Sequence, residues 1–134
     1  MQLYPNLSYN GQCETAFKFY EECLGGKISF MVKYKDTPME APPGWQEKIV
    51  HATFVLDTFM LSGSDTQPDH YQKPQGFGLQ LNLSDPEKAE RIFKTLAENG
   101  TEQMPFHQTF WAYRFGVVTD QFGIPWLINC ERAA

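Results

Sequence analysis

Apolar positions along the chain change period in one order, and then repeat that order in the second half. The first helix is predicted from a single apolar face, and Gly25-Gly26 ends it because glycine adopts the left-handed conformation common there. That face contains Cys13, Ala16, Phe17, Tyr20 and Leu24. Strands are predicted at residues 3–9, 28–34, 49–56 and 59–62, with a tight turn at Asp57-Thr58 and a proline-containing loop at residues 35–46.

The same pattern begins again after the polar segment 63–75. A strand is predicted at residues 77–83, and Ser84-Asp85-Pro86-Glu87 then supplies a helix cap, a proline at the first helical position and an acidic first turn. The apolar face of this second helix contains Ala89, Ile92, Phe93, Leu96 and Ala97. Asn99-Gly100 ends the helix, and strands are predicted at residues 101–106, 113–119 and 124–129.

Two halves with one order of elements predict an α+β fold built from two βαβββ modules. We expect a single domain over residues 1–134, with repeat halves at about residues 1–66 and 75–134. A ferredoxin-like domain is the main alternative. It has fewer strands than the seven or eight strand patterns found here beside only two helices.

Charge and composition exclude several classes of protein. The net charge is −5, and Lys33-Tyr34-Lys35 is the densest basic grouping, which argues against nucleic acid as a partner. No run approaches the ~18 apolar residues that predict a membrane span, and the first residues do not resemble a signal peptide. The three cysteines form no CxxC pair, so we expect free thiols and a cytoplasmic location. Aromatic residues make up 15% of the chain, enough for a ring-lined pocket, a core or a subunit contact.

Several segments spread over nearly the whole chain resemble the PhnB-like branch of the vicinal oxygen chelate superfamily, which includes glyoxalase and bleomycin-resistance proteins. The resemblance lies in residues 4–9, 16–26, 50–54, 60–65, 109–111, 115–116 and 120–128. It implies a glyoxalase-like fold in which the two βαβββ modules form a mixed-sheet partial barrel. It also implies a homodimer. The family usually has proline where Gln121 stands.

Many members of the superfamily hold a divalent metal ion, and the resemblance places its ligand positions near Tyr4 or Pro5, Ser62, Gly78 and Leu127. None of these side chains is a good ligand. We therefore expect no metal ion and no cofactor through the usual positions. A different ligand set, His51 with Glu47 and Asp65, remains an alternative.

His51 and Asp65 are two of the candidate functional residues. His51 lies within a predicted strand, and its pKa near neutrality suits a general base. Asp65 follows a predicted strand at a loop entrance, where ligand-binding residues are common. The alternative is structural in both cases: a strand histidine that is merely hydrogen-bonded, and an aspartate that forms a turn.

The aromatic run at residues 106–115 supplies the remaining candidates. It lacks the alternation of a plain strand, so a loop or bulge is expected to interrupt it. We expect Phe110 and Trp111 to wall a pocket, with Gln108 and Arg114 as polar contacts for a ligand. Packing in the core or at a dimer interface is the alternative for the same run. Trp126 is expected in the core, with one partner for its indole N–H.

These features predict a protein that binds and sequesters a small apolar or aromatic molecule in an aromatic-lined cleft without a metal. The alternative is a lyase, isomerase or dioxygenase-type enzyme that uses an atypical metal site or His51 as general base. Methyl transfer, which some relatives' names suggest, has no support here. No glycine-rich strand-to-helix turn for a nucleotide cofactor is present.

Overall fold

The computed structural model describes residues 1–132 and divides the chain into two compact units, Met1–Gln72 and Lys73 onward. The first unit contains β1 (Asn6–Tyr9), α1 (Cys13–Leu24), β2 (Lys27–Lys33), a short 3-10 helix (Tyr34–Asp36), β3 (Ile49–Leu56) and β4 (Phe59–Asp65). The second contains β5 (Leu79–Leu83), α2 (Pro86–Ala97), β6 (Thr101–His107), β7 (Arg114–Thr119) and β8 (Pro125–Cys130).

Each unit is an open, mixed four-stranded sheet with one helix. The strand order is β1-β4-β3-β2 in the first and β5-β8-β7-β6 in the second, so the two sheets have the same topology. In each, the first strand is parallel to the last and the other pairs are antiparallel. This arrangement confirms the predicted α+β fold of two βαβββ modules.

Both helices form for the reasons that the sequence indicates. The predicted face of α1 is fully buried, and the N–H of Gly25, at φ 83°, donates to the Glu21 carbonyl. At the start of α2, Asp85 Oδ1 accepts hydrogen bonds from the N–H groups of Glu87 and Lys88, and Pro86 is the first helical residue. Ala97 is half-buried, whereas the other four predicted positions of α2 are buried.

Several strand boundaries differ from the prediction. β1 begins at Asn6 rather than at residue 3, because Leu3 is 98% exposed and pairs with no strand. β4 continues to Asp65 instead of ending at Ser62, so Gly63 is a strand residue rather than the start of a loop. β5 begins two residues late, at Leu79.

Each helix covers one face of its own sheet. An added β-carbon at Gly63 would lie 2.8 Å from the Phe17 ring of α1, and one at Gly116 would lie 2.6 Å from the Phe93 ring of α2. Residues adjacent to these glycines point to the opposite face, because side chains alternate along a strand. The face without a helix, called the open face below, therefore carries His51 and Thr53 in the first unit and Phe115 and Asn129 in the second.

Candidate functional site

A short loop between β6 and β7 presents the predicted ring-bearing residues. Thr109 N–H donates to the Ala112 carbonyl, and Ala112 N–H donates to Thr109 Oγ1, at 3.3 and 3.1 Å. Ala112 is fully buried, while Phe110 is 89% exposed at the tip of this closed turn. The expected interruption of the aromatic run is therefore confirmed as a loop between His107 and Arg114.

Three rings contact one another in series at this loop. The Phe110 and Trp111 ring centroids are 4.9 Å apart with planes at 82°, and those of Trp111 and Phe115 are 5.4 Å apart at 66°. Edge-to-face pairs of this kind are favourable because the positive ring edge meets a negative ring face. Phe115 is buried on β7, whereas Trp111 is 51% exposed. This ring cluster of Phe110, Trp111 and Phe115 thus joins an exposed apolar surface to the sheet.

The two predicted polar contacts lie beside the loop and are oriented differently. Arg114 Nη1 donates to the Tyr113 carbonyl at 2.9 Å, and its guanidinium lies 4.5 Å from the centre of the Tyr113 ring. This cation–π contact turns the charge toward Tyr113. Gln108 is exposed, and its side chain makes no hydrogen bond to any part of the chain that the structure describes.

His51 and Asp65 lie on opposite faces of the first sheet. His51 is exposed on the open face, with its ring centroid 6.0 Å from that of Phe30. Asp65 shares a strand and a face with Gly63, which contacts α1. The structure therefore does not bring His51 and Asp65 together at one site.

Asp65 stabilises the ends of two neighbouring elements. Its Oδ1 accepts a hydrogen bond from Cys13 N–H at 2.9 Å, and its Oδ2 accepts one from Ile49 N–H at 2.8 Å. The side chain is 6% exposed. A carboxylate at the first turn of α1 satisfies a helix N–H and interacts favourably with the helix dipole. Gln12, the preceding residue, provides no such cap through its own side chain.

The residues at the family's metal-ligand positions do not fit a metal ion. Ser62 Oγ donates to Asn6 Oδ1 at 2.7 Å, and a β-carbon at Gly78 would overlap the Leu127 side chain. Gly78 and Leu127 are thus neighbours, but neither offers a ligand atom. Within residues 1–132, no three His, Cys, Asp or Glu side chains are grouped so that they could hold a metal.

Glu47, the third member of the alternative ligand set, interacts with lysines instead. Its carboxylate lies 2.7 Å from Lys35 Nζ and 2.9 Å from Lys33 Nζ. Hydrogen bonds from Lys35 and Lys33 lower the pKa of Glu47 to about 2. The combination of His51, Glu47 and Asp65 as metal ligands is therefore wrong.

Two buried groups outside the candidate site have structural roles. Trp126 is 1% exposed and its Nε1 donates to Asp120 Oδ2 at 2.9 Å, which confirms the expected core position. Asp120 Oδ1 also accepts from the N–H groups of Phe122 and Ile124 in the β7–β8 turn. Burial raises the pKa of the Cys130 thiol, which disfavours the nucleophilic thiolate.

Sequence reasoning missed an amide cluster on the open face of the second unit. Asn82 Oδ1 accepts from Gln80 Nε2 at 2.9 Å and from Asn129 Nδ2 at 3.1 Å. Asn129 Oδ1 is buried and has no hydrogen-bond partner within the described residues. The alternation Gln80-Leu81-Asn82 places two amides on one face of β5, but nothing in the sequence pairs them with Asn129.

None of the helices described is long and apolar enough to cross a membrane.

Comparisons with known proteins agree with this geometry. The model of a family described as 3-demethylubiquinone-9 3-methyltransferase matches residues 1–129. Protein YjdN of Escherichia coli K12 is 35% identical over 139 residues, covering 96% of this chain and 95% of YjdN. The crystal structure of protein PA1353 from Pseudomonas aeruginosa is 42% identical, with a TM-score of 0.92 over 99% of both chains.

More distant structures show the fold alone. The PhnB protein of Bacillus cereus has a TM-score of 0.85 at 23% identity, over 97% of this chain and 99% of its own. A possible glyoxalase from the same organism has a TM-score of 0.60 at 19% identity, covering 97% and 99%. The fosfomycin resistance protein FosX of Listeria monocytogenes has a TM-score of 0.65 at 7% identity, covering 98% and 94%. The two βαβββ modules therefore have the glyoxalase-like arrangement of vicinal oxygen chelate proteins.

The substitution Asp65→Asn tests the structural role of this carboxylate. An amide has one acceptor oxygen, so one of the two backbone N–H groups loses its partner and faces an NH2 group. We expect the free energy of unfolding to fall by about 2–4 kcal/mol, because a buried donor is left unsatisfied and a charged acceptor is lost. Urea denaturation followed by circular dichroism measures this change. Asp69→Asn is the matched control, since that exposed side chain should change stability by less than about 0.5 kcal/mol. Equal stability of both variants would contradict the assignment.

Proposed function

The chain belongs to this PhnB-like 3-demethylubiquinone-9 3-methyltransferase family, and from that premise we propose that it binds and sequesters a small planar apolar molecule. The molecule lies against the ring cluster, and no metal ion takes part. The observation that carries the proposal is a series of rings that begins on a buried strand residue and ends in solvent.

The exposure of these rings supports a ligand-binding role. Phe110 and Trp111 lie next to each other at 89% and 51% exposure, although burying them would be strongly favourable. A large apolar surface left in contact with water commonly marks a binding site. The two hydrogen bonds between Thr109 and Ala112 hold the turn, so little ordering is needed when a ligand binds.

Neither strand-to-helix turn supports the methyl transfer in the family's name. The turn before α1 is Asn10-Gly11-Gln12, and the turn before α2 is Ser84-Asp85. A nucleotide-binding turn carries several glycines so that the backbone can approach phosphate groups. The proposed function therefore does not include methyl transfer.

An enzymatic role for His51 has less support than binding. Its nearest aromatic neighbour is Phe30, and His51 makes no hydrogen bond to another residue in the range 1–132. A general base is usually oriented by a third group that hydrogen-bonds to its ring. The lyase, isomerase or dioxygenase-type alternative accordingly remains a prediction without a supporting contact.

Trp111→Ala tests the proposed binding site. With 1-benzothiophene as the planar probe, we expect the dissociation constant to rise about ten- to a hundredfold, because a stacked ring contributes roughly 1–3 kcal/mol. Titration followed by 15N–1H NMR measures binding, and thermal unfolding checks that the variant remains folded. Trp45→Phe is the control, since Trp45 packs against Tyr34 in the first unit. Equal affinity of the Trp111→Ala variant and the unaltered protein would contradict the proposed site.

Elemental analysis tests the metal-free part of the proposal. We expect less than about 0.1 divalent metal ion per chain after purification without chelator, because Ser62, Gly78 and Leu127 provide too few ligand atoms. Incubation with excess Zn²⁺, Ni²⁺ or Mn²⁺ followed by gel filtration should leave this ratio unchanged. One tightly held ion per chain would show that a different ligand set exists.

We also propose that the protein forms a homodimer through its N-terminal segment. Leu3 and Phe59 are 98% and 70% exposed, and both line a groove of about 280 Å³ beside the β3–β4 turn. A second copy that covers this surface would remove two large side chains from water. The sheet edges β1 and β2 of the same unit are also unpaired, and such edges favour association.

Sedimentation velocity at micromolar concentration tests the dimer. We expect a mass near twice the 15.4 kDa of one chain, and Phe59→Glu should shift the population toward monomer because it places a charge in the contact. Asp57→Ser in the same turn is the control for a general effect on the loop. A monomer in the unaltered protein would overturn this proposal without affecting the ring cluster.

The cysteines support a reducing compartment. Cys13, Cys23 and Cys130 are all free and buried. Disulfides are rare in the cytoplasm, where thiols are kept reduced. We therefore propose the cytoplasm as the location of this protein.

A further inference from the structure

Asn129 lies beside the ring cluster on the open face of the second unit. It is directly opposite Phe115 in the β7–β8 pair, and residues opposite each other in an antiparallel pair share a face. Trp111 contacts Phe115 through its ring. The Asn129 amide and the Trp111 ring are therefore both neighbours of one side chain.

The hydrogen bonds of the amide cluster fix the orientation of Asn129. Asn82 Oδ1 accepts from both Gln80 Nε2 and Asn129 Nδ2. An Asn129 side chain rotated by 180° would place two carbonyl oxygens against each other. The amino group therefore faces Asn82, and the carbonyl oxygen is the group without a partner.

A buried carbonyl oxygen without a donor is unusual in a folded protein. Most buried polar side-chain atoms have at least one hydrogen-bond partner, because an unsatisfied group loses its hydration without compensation. The other amides of the cluster are exposed on β5, so only the innermost of the three has this deficit. The deficit lies where the exposed rings would receive a ligand.

We propose that Asn129 Oδ1 accepts a hydrogen bond from the ligand of the ring cluster. The ligand class is a neutral planar molecule whose ring carries an N–H or O–H group, such as an indole, a phenol or an aromatic amine. This inference rests on the proposed function and specifies its substrate class. A carbonyl oxygen accepts but does not donate, so it selects a donor. Gln80, Asn82 and Asn129 carry no charge, so they select a neutral donor rather than an ammonium ion.

The repeat provides an internal comparison. Ser8 and Ser64 are the last-but-one residues of β1 and β4, and they pair with each other. Asn82 and Asn129 have the same places in β5 and β8 and also pair. Ser64 is therefore the position in the first unit that matches Asn129, and it is a matched site for a control substitution.

Two probes of nearly equal shape test the inference. Indole carries a ring N–H, and 1-benzothiophene has a sulfur atom in its place. We expect indole to bind the unaltered protein about tenfold more tightly, as a net hydrogen bond to an otherwise unsatisfied acceptor implies. Binding is followed by 15N–1H NMR through the Asn129 side-chain amide and the Trp111 indole signals.

Variants of Asn129 should then remove or retain this preference. Asn129→Leu should bind the two probes within about twofold of each other, whereas Asn129→Asp keeps an acceptor and should still prefer indole. Ser64→Ala should leave the tenfold preference unchanged. If Asn129→Leu does not fold, the preference of the unaltered protein and of Asn129→Asp decides the question.

The possible outcomes separate this inference from the proposed function. Equal affinities for both probes in the unaltered protein, with binding that depends on Trp111, would overturn the role of Asn129 and leave the ring cluster as the binding site. Such a result would mean that solvent satisfies the oxygen. Binding of neither probe would overturn the proposed function and this inference together.

Discussion

The contact between a helical phenylalanine and a strand glycine determines how each half of this protein is built. Phe17 of α1 lies over Gly63 of β4, and Phe93 of α2 lies over Gly116 of β7, at distances that leave no room for a β-carbon. Replacing either glycine would force the ring or the helix to move, and cores tolerate such overpacking poorly. The helix is therefore held close to one face of the sheet, and only the opposite face is available for other chemistry.

The division between two faces also separates structural carboxylates from candidate functional groups. Asp65 lies on the helix side of its sheet, where it binds the first turn of α1 and the start of β3. Asp120 binds the backbone of the β7–β8 turn and the indole of Trp126. Each oxygen of both carboxylates accepts at least one hydrogen bond, which is how a buried carboxylate is normally accommodated. His51 and the ring cluster lie on the other side of their respective sheets, where no helix covers them.

The elements and the repeat could be predicted from the sequence because they depend on local patterns. Period, capping residues and turns placed both helices and all eight strands within a few residues. Gly63 was misassigned to a loop, because glycine usually marks a turn and the ring that requires it here is 46 positions earlier in the chain. Asp65 was misinterpreted for a related reason, since its two partners, Cys13 and Ile49, are close to it only after folding.

The candidate site was predicted in part, and the difference lies in the kind of signal each residue gives. Adjacent rings such as Phe110 and Trp111 are visible in a sequence because they are dense and lack strand alternation. A single amide such as Asn129 in an alternating strand gives no comparable signal. The comparison of the two units supplies one, because Ser64 and Asn129 occupy matching places and differ in length and in spare hydrogen-bonding capacity. A fold that hosts many activities does not reveal which one this chain has. Where its two halves share a backbone but differ in a buried polar group, the difference cannot come from the needs of the common fold, and ligand recognition is then the simplest physical reason for it.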